Sequence, residues 1–278
     1  MLFFQLLASV LDEVWAQLPG TTEDEKTVAV EAMQGNLQKH YAQLSNTSTP
    51  IDYRDPATRY AYLRCYVASH AHLVAYLIGK DSSLGALFTN DRVQVTCVGG
   101  GPGSDLLGVL RFTEKTGLTP DLKFFLYDRE QAWSESWSDV DDKVNTPIST
   151  YFQIFDVTEP GTWQQNSKYL TSDLFTMIYF ASEIYRLRGA AEPFFRNLFD
   201  RAKPGALFLY VDNAFAVFFE WFDKQYAGAS VTVVARNDGV QIGLPPEEEK
   251  RDLGAHYSRI AGQPKLTANV AYRVLRKD

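Results

Sequence analysis

Cysteine is scarce in this sequence and long apolar runs are missing, and each absence removes a class of protein. Only two of the 278 residues are cysteine, Cys65 and Cys97. Two isolated cysteines do not form a disulfide framework, and they fit a reducing compartment. No apolar run reaches the roughly 18 residues that a membrane span needs. We therefore expect a cytoplasmic protein, with the nucleus as the alternative, and no membrane partner.

The sequence also lacks an excess of basic residues. It has 27 Lys and Arg against 34 Asp and Glu, for a net charge of −7. This balance argues against tight non-specific binding to nucleic acid, although a local basic groove stays open. With 45% hydrophobic and 14% aromatic residues, the chain is not a disordered protein. Its length suits one large domain, or one domain with an extension, and leaves the oligomeric state open.

The four histidines do not make a metal site. His70 and His72 are two residues apart in a helical pattern, and His40 and His256 are distant in sequence. Metal ligands on one helix favour a spacing of three or four residues. The sequence therefore predicts no bound metal.

Residues 1 to about 90 have a helical pattern. The first helix carries apolar residues at helical spacing, and we expect it to pack on the body, with a cleaved signal peptide as the alternative. These residues are Phe3, Phe4, Leu7, Val10, Leu11 and Val14. After the break at Pro19-Gly20 a second helix runs to about Leu44. Residues 45–50 form a polar loop whose Asn-Thr-Ser sequon is a coincidence, and a third helix runs from Asp55-Pro56 to Gly79.

From about residue 91 short apolar runs alternate with helical segments. Five runs have strand character, at residues 93–98, 124–128, 151–157, 174–180 and 206–213. Residues 231–236 and 266–276 add two closing strands, with a charged loop or short helix between them. Alternating strands and helices predict a mostly parallel sheet of Rossmann type. We expect a seven-stranded doubly wound α/β domain at 91–278, with an antiparallel edge, behind a helical extension at 1–90.

The most informative motif follows the first strand pattern. It reads Cys97-Val-Gly-Gly-Gly-Pro-Gly-Ser-Asp105 and opens a helix pattern. Glycines at 99, 101 and 103 let the backbone turn tightly and approach a ligand closely. The helix behind them offers unpaired N–H groups and a positive dipole. This loop predicts a site for a phosphate, a carboxylate or a nucleoside.

Two familiar nucleotide-binding motifs are absent. The dinucleotide fingerprint Gly-x-Gly-x-x-Gly fails in both registers, because its third glycine position is Ser104 or Leu106. A P-loop is excluded because no Gly-Lys-Ser/Thr follows the glycines. The spacing Gly-x-Gly-x-Gly instead resembles motif I of class I S-adenosylmethionine-dependent methyltransferases. The resemblance continues in order along residues 91–278 and is sharpest in 93–157.

The resemblance implies a set of cofactor-binding residues. Asp128 lies at the end of the second strand pattern and is followed by Arg129. Its carboxylate would accept hydrogen bonds from the two ribose hydroxyls. Asp156 and Val157, after the third, would meet the adenine. Tyr179 and Phe180, after the fourth, would line the methyl-transfer site. The full implied set adds the loop residues Gly99, Gly100, Gly101, Gly103 and Asp105. The implied cofactor is S-adenosylmethionine, with S-adenosylhomocysteine as its product.

One position departs from the family pattern. Two residues before the first glycine the family usually has Glu or Asp, and this sequence has Cys97. A thiol does not replace that carboxylate, and Asp105 could take over part of its role. Three functions therefore stay open. They are a methyltransferase with an unknown acceptor, a non-catalytic S-adenosylmethionine sensor or scaffold, and a nucleotide-binding oxidoreductase.

Two further groups are candidates for substrate contacts. Glu183 follows the fourth strand pattern and could act as a general base, or pair with Arg186 or Arg188. Tyr62, Arg64 and Tyr66 lie on the third helix, where Arg64 could hold the cofactor's carboxylate. Alternatively, this helix face packs on the sheet domain. Trp133 and Trp137 are expected in the core. A small-molecule or protein acceptor is favoured over RNA.

Overall fold

The structure of the chain is a computed structural model that describes residues 3–44, 51–137, 140–244 and 251–278. The predicted polar loop at 45–50 with its sequon, and most of the charged stretch between the last two strands, lie outside these ranges. The described part contains one seven-stranded sheet with helices packed on it.

The sheet has the doubly wound α/β topology that the sequence predicts. Its strands are β1 (Arg92–Val98), β2 (Asp121–Asp128), β3 (Ile148–Ile154), β4 (Leu174–Ile178), β5 (Leu207–Asn213), β6 (Val231–Gly243) and β7 (Thr267–Lys277). They lie in the order β3-β2-β1-β4-β5-β7-β6, and β7 is the one strand of the seven that runs against the others. The predicted fold class and its antiparallel edge are confirmed.

The central strands explain why the sequence shows apolar runs there. All five residues of β4 are buried, because helices cover both faces of the parallel sheet. The edge strand β3 is more exposed, and half of the Tyr151 surface is open to solvent. The strand predicted at 151–157 lies three residues earlier. Its pairing ends where the Phe155 amide donates to the Asp128 carbonyl, and the chain then turns at Asp156.

In the described ranges 3–44 and 51–91, five α-helices precede the sheet: α1 (Phe3–Gln17), α2 (Glu23–Tyr41), α3 (Pro56–Tyr62), α4 (Ala68–Lys80) and α5 (Ser82–Leu87). Thr22 and Glu25 form a capping box at the start of α2, and the Asp55 carboxylate caps α3. The second helix ends at Tyr41, earlier than predicted. Between α3 and α4 the residues Leu63–Val67 form a π-helical turn, a rare feature that often marks functional sites.

The remaining helices connect the strands of the sheet. They are α6 (Ser104–Thr116), α7 (Ser134–Trp137), α8 (Val140–Lys143), α9 (Pro160–Trp163), α10 (Phe180–Ile184), α11 (Arg188–Arg201), α12 (Ala216–Tyr226) and α13 (Gly254–Arg259). No helix in the described ranges is long and apolar enough to cross a membrane.

The N-terminal helices share a hydrophobic core with one face of the sheet. Helix α4 packs on α6 so closely that a Cβ at Gly108 would lie 2.5 Å from the Val74 Cβ. The apolar face of α1 joins the same cluster, and Leu11 is fully buried. The first helix therefore packs on the body. The boundary at residue 91 stays a prediction, because the core runs across it.

Arg64 ties the extension to the segment between β6 and β7. Its guanidinium is 1% exposed and donates to the carbonyls of His256, Tyr257, Ile260 and Gly262, and to the Gln34 side chain. These carbonyls come from residues 192 to 198 positions further along the chain. A buried cation is stable only when such partners surround it.

We expect Arg64→Met to lower the free energy of unfolding by about 3–5 kcal/mol, because it leaves several buried carbonyls without a donor. Denaturant unfolding followed by circular dichroism measures this change. Arg201→Met, on the exposed surface of α11, is the control and is expected within about 0.5 kcal/mol of the wild type. An Arg64 variant as stable as the control would contradict this assignment.

Candidate functional site

A cavity of about 510 Å³ lies at the carboxyl edge of the sheet, where open α/β sheets bind their ligands. It is lined by residues that follow β1, β2, β3 and β4, and by residues of the N-terminal extension. The wall consists of His40, Leu44, Ile51, Tyr53, Tyr62, Gly99, Pro102, Asp128, Arg129, Glu130, Trp133, Phe155, Asp156, Val157, Thr158, Ile178, Tyr179, Phe180, Glu183, Ile184, Arg186 and Leu187.

The glycine loop has the conformation that only glycine adopts easily. Gly99 and Gly103 have φ angles of +70° and +79°, and Gly103 is the N-cap of α6. A Cβ at Gly99 would lie 2.4 Å from the Phe180 ring, and one at Gly103 would lie 2.2 Å from Trp137. The loop glycines are therefore needed for close packing of aromatic rings as well as for the turn.

The Gly101 peptide is held by side chains from the connection after β2. Its N–H donates to Oδ2 of Asp128 at 3.0 Å, and its carbonyl accepts from the Trp137 indole at 2.9 Å. A Cβ at this position would lie 2.4 Å from Trp133. Trp137 is buried in the core, as predicted, whereas Trp133 is buried and also lines the cavity. The glycine loop and the end of β2 thus form one rigid unit.

Asp128 faces the cavity with a carboxylate that is already oriented. Oδ1 accepts from the Glu130 amide at 2.9 Å, and Oδ2 accepts from Gly101. Burial raises the pKa of Asp128 to about 6, although both hydrogen bonds act in the opposite direction. Each carboxylate oxygen can accept a second hydrogen bond, so the group suits a neighbouring pair of hydroxyls. Arg129 lines the wall beside it.

The segment after β3 supplies a second acidic group and an apolar surface. Asp156 and Val157 both line the cavity, together with Phe155. Oδ1 of Asp156 accepts from the Thr158 amide at 2.8 Å and from the Thr158 hydroxyl at 2.7 Å. Val157 and Phe155 are 3% exposed. This arrangement can place a flat ring against apolar side chains with an acceptor at its edge.

Tyr179 has a backbone conformation that is uncommon for a residue with a side chain. Its φ is +56°, in the left-handed region, and its ring stacks on His70 with centroids 4.0 Å apart. Phe180 begins α10 and covers Gly99. Residues held in this region often lie at functional sites. Both side chains line the cavity.

Gly99 and Pro102 of this segment line the cavity, whereas the implied cofactor-binding residues Gly100, Gly101, Gly103 and Asp105 do not, and neither does Cys97. A Cβ at Gly100 would meet the Cys97 side chain at 2.3 Å, and Cys97 is fully buried. Asp105 is 3% exposed, and its Oδ1 has no hydrogen-bond partner among the described residues. Burial raises the pKa of Asp105 to about 6 and the pKa of the Cys97 thiol well above its usual range. That Asp105 takes over part of the role of the carboxylate missing at position 97 stays a prediction.

Glu183 is exposed to the cavity and surrounded by tyrosines of the extension. The Tyr41 and Tyr53 hydroxyls are 2.7 Å apart, and burial together with the nearby Glu183 charge raises the pKa values of Tyr41, Tyr53 and Tyr62. Desolvation by the surrounding protein raises the pKa of Glu183 to about 7. Arg188 donates to the Tyr185 carbonyl, and the alternative in which Glu183 pairs with Arg186 or Arg188 stays a prediction. The sequence reasoning missed Tyr41 and Tyr53, which no motif marks.

The third helix contributes to the site differently from the prediction. Tyr62 lines the cavity, whereas Tyr66 is buried behind it, with ring centroids 5.2 Å apart. The suggestion that Arg64 holds a cofactor carboxylate is wrong in this structure, because its guanidinium donates hydrogen bonds to carbonyls of residues 256–262. In the described part of the chain no three His, Cys, Asp or Glu residues form a possible metal site.

The chain is similar in fold to several solved structures. An O-methyltransferase family protein from Burkholderia thailandensis has 12% identity, covering 91% of this chain and 71% of that chain, with a TM-score of 0.51. The 16S rRNA methylase ArmA has 13% identity, covering 88% and 98%, with a TM-score of 0.46. A putative methyltransferase from Bacillus halodurans has 12% identity, covering 72% and 98%, with a TM-score of 0.41.

At these identities the likeness concerns the fold. No family model matches the sequence, and no curated protein matches it. The chain has a Rossmann-like fold similar to that of the O-methyltransferase family protein.

The buried acids predict a pH-dependent stability. Burial raises the pKa of Asp105 above its ordinary value of 3.8, so its contribution to stability is lost as the pH rises through about 6. Asp105→Asn removes this loss. We expect the unfolding free energy of the variant to increase relative to the wild type by up to about 3 kcal/mol between pH 4 and 7.

Urea unfolding at several pH values measures the difference between the two proteins. Asp200→Asn, on an exposed surface, is the control and should keep a constant difference from the wild type. A difference between Asp105→Asn and the wild type that is independent of pH would refute the raised pKa.

Proposed function

We propose that the protein is an S-adenosylmethionine-dependent methyltransferase. The observation that carries this proposal is that one cavity combines the glycine loop, the oriented Asp128 carboxylate and the acidic, apolar segment at 155–157. When bound, the cofactor supplies an electrophilic methyl group on a cationic sulfur. The protein's task is then to hold both reactants in line and to exclude water.

The residues of the cavity fit each part of this cofactor. Asp128 would accept from the ribose hydroxyls, and Val157 with Phe155 would cover the adenine, whose amino group would meet Asp156. The glycine loop would receive the methionine portion, because Gly99 and Pro102 of this loop line the cavity. Four carboxyl groups and two guanidinium groups line the wall, a balance that suits a cationic ligand.

Cys97 supports a second candidate, a cofactor-binding protein without catalysis. The thiol is fully buried and its raised pKa keeps it neutral, so it offers no carboxylate to the methionine ammonium group. Against this candidate, the cavity continues beyond the glycine loop to Glu183, Ile184 and Leu187. That space leaves room for an acceptor, which we propose is a small molecule.

The compartment belongs to the same proposal. Cys65 and Cys97 are free, buried thiols, which fits a reducing environment. We therefore place the reaction in the cytoplasm.

Titration calorimetry with S-adenosylhomocysteine tests the cofactor. We expect micromolar affinity for the wild type and at least a tenfold loss in Asp128→Asn, since the amide leaves only one acceptor oxygen for the diol. Asp200→Asn is the control and should bind like the wild type. If the folded wild-type protein binds neither S-adenosylhomocysteine nor S-adenosylmethionine, the proposal fails.

A further inference from the structure

The part of the cavity beyond the glycine loop has an aromatic wall. The ring centroids of Tyr53 and Tyr62 are 5.6 Å apart in an edge-to-face arrangement, and Trp133 lies 5.2 Å from Tyr53 and 6.1 Å from Tyr62. All three side chains line the cavity. Converging aromatic faces attract cations, because the ring quadrupole is negative above the ring plane.

Glu183 is the acidic group of this part of the cavity. Tyr41 and Tyr53 lie near it, because burial and then the Glu183 charge raise the pKa values of both, and their hydroxyls are 2.7 Å apart. The Glu183 side chain is exposed to the cavity, so a ligand can reach it.

The surrounding charges are consistent with a cationic ligand. The groups that act on Glu183 are Tyr41, Asp212, Arg129 and Asp128. Arg129 is a cation and lies on the exposed rim, whereas Asp212 and Asp128 are acidic. The same wall contains the apolar residues Leu44, Ile51 and Ile184, and the basic residues His40 and Arg186 also lie on it.

We propose that the methyl acceptor is an amine with an apolar substituent, bound as its ammonium ion between Glu183 and the rings of Tyr53, Tyr62 and Trp133. This inference rests on the proposed methyltransferase function and assigns its acceptor. A neutral alcohol would gain nothing from the cation–π wall, and an acid would be repelled by Glu183.

Glu183 then has two successive roles, as the partner of the ammonium group and as its proton acceptor. Its carboxylate pairs with the ammonium group and takes one proton from it, which frees the nitrogen lone pair. The nitrogen forms a bond to the methyl carbon, the carbon–sulfur bond breaks with its electron pair on sulfur, and the proton leaves from Glu183 to solvent. The pKa of Glu183, raised to about 7, makes it a better proton acceptor for an amine than an ordinary carboxylate.

The test uses protein saturated with S-adenosylhomocysteine, so that no turnover occurs. Phenethylamine and 2-phenylethanol are then titrated by calorimetry at pH 7.5. The preceding saturation with S-adenosylhomocysteine checks the cofactor proposal independently. We expect phenethylamine to bind at least tenfold more tightly than the alcohol. Glu183→Gln should remove this preference, whereas Glu192→Gln, on exposed α11, should keep it.

Variants of Tyr53 separate the ring from its hydroxyl. Tyr53→Phe keeps the aromatic face and should retain most of the preference for the amine, whereas Tyr53→Leu should lose it. The proposal is overturned if the alcohol binds as tightly as the amine, or if neither binds while S-adenosylhomocysteine does.

A third measurement tests whether the aromatic wall and Glu183 bind the cofactor instead of the acceptor. The rings and Glu183 would serve the cofactor's sulfonium instead if Glu183→Gln weakened S-adenosylmethionine binding but not S-adenosylhomocysteine binding. We expect equal effects of this substitution on the two ligands, and an unequal effect overturns the assignment to an amine.

Discussion

The Gly101 peptide is the point on which the site depends. Its N–H and its carbonyl are both bound by side chains that follow β2, Asp128 and Trp137. These two contacts fix the glycine loop to the end of the neighbouring strand. They also place Trp133 on the cavity wall, and Trp133 in turn contacts Tyr53 of the N-terminal extension. One peptide group thus links the proposed cofactor site to the proposed acceptor site.

The sheet and the glycine loop were predictable because their patterns are local. Apolar runs of strand length report burial on both faces, and the spacing of Gly99, Gly101 and Gly103 reports a turn followed by a helix. Asp128 falls at the end of its strand for the same reason. Asp156 was placed less accurately, because strand β3 is an edge strand with weak burial and its end depends on one hydrogen bond to Asp128.

The acceptor side was not predictable in the same way. Tyr41 and Tyr53 reach Glu183 through the path of the extension, and contacts between residues so far apart leave no periodic pattern. Arg64 shows the opposite error. Its position next to an aromatic stripe suggested a ligand contact, but its partners are backbone carbonyls, which any residue type supplies and no sequence motif reveals.

The contact between Arg64 and the segment before β7 can form only late in synthesis, after both parts of the chain have been made. Arg64 is synthesised before its backbone partners, because the carbonyls that surround it follow 192 to 198 residues later. At about 5–20 residues per second, this interval lasts about 10–40 s. Throughout it, the nascent helices carry a cation without its final partners. The contact that ties Arg64 to this segment can therefore form only after residues 256–262 have been synthesised.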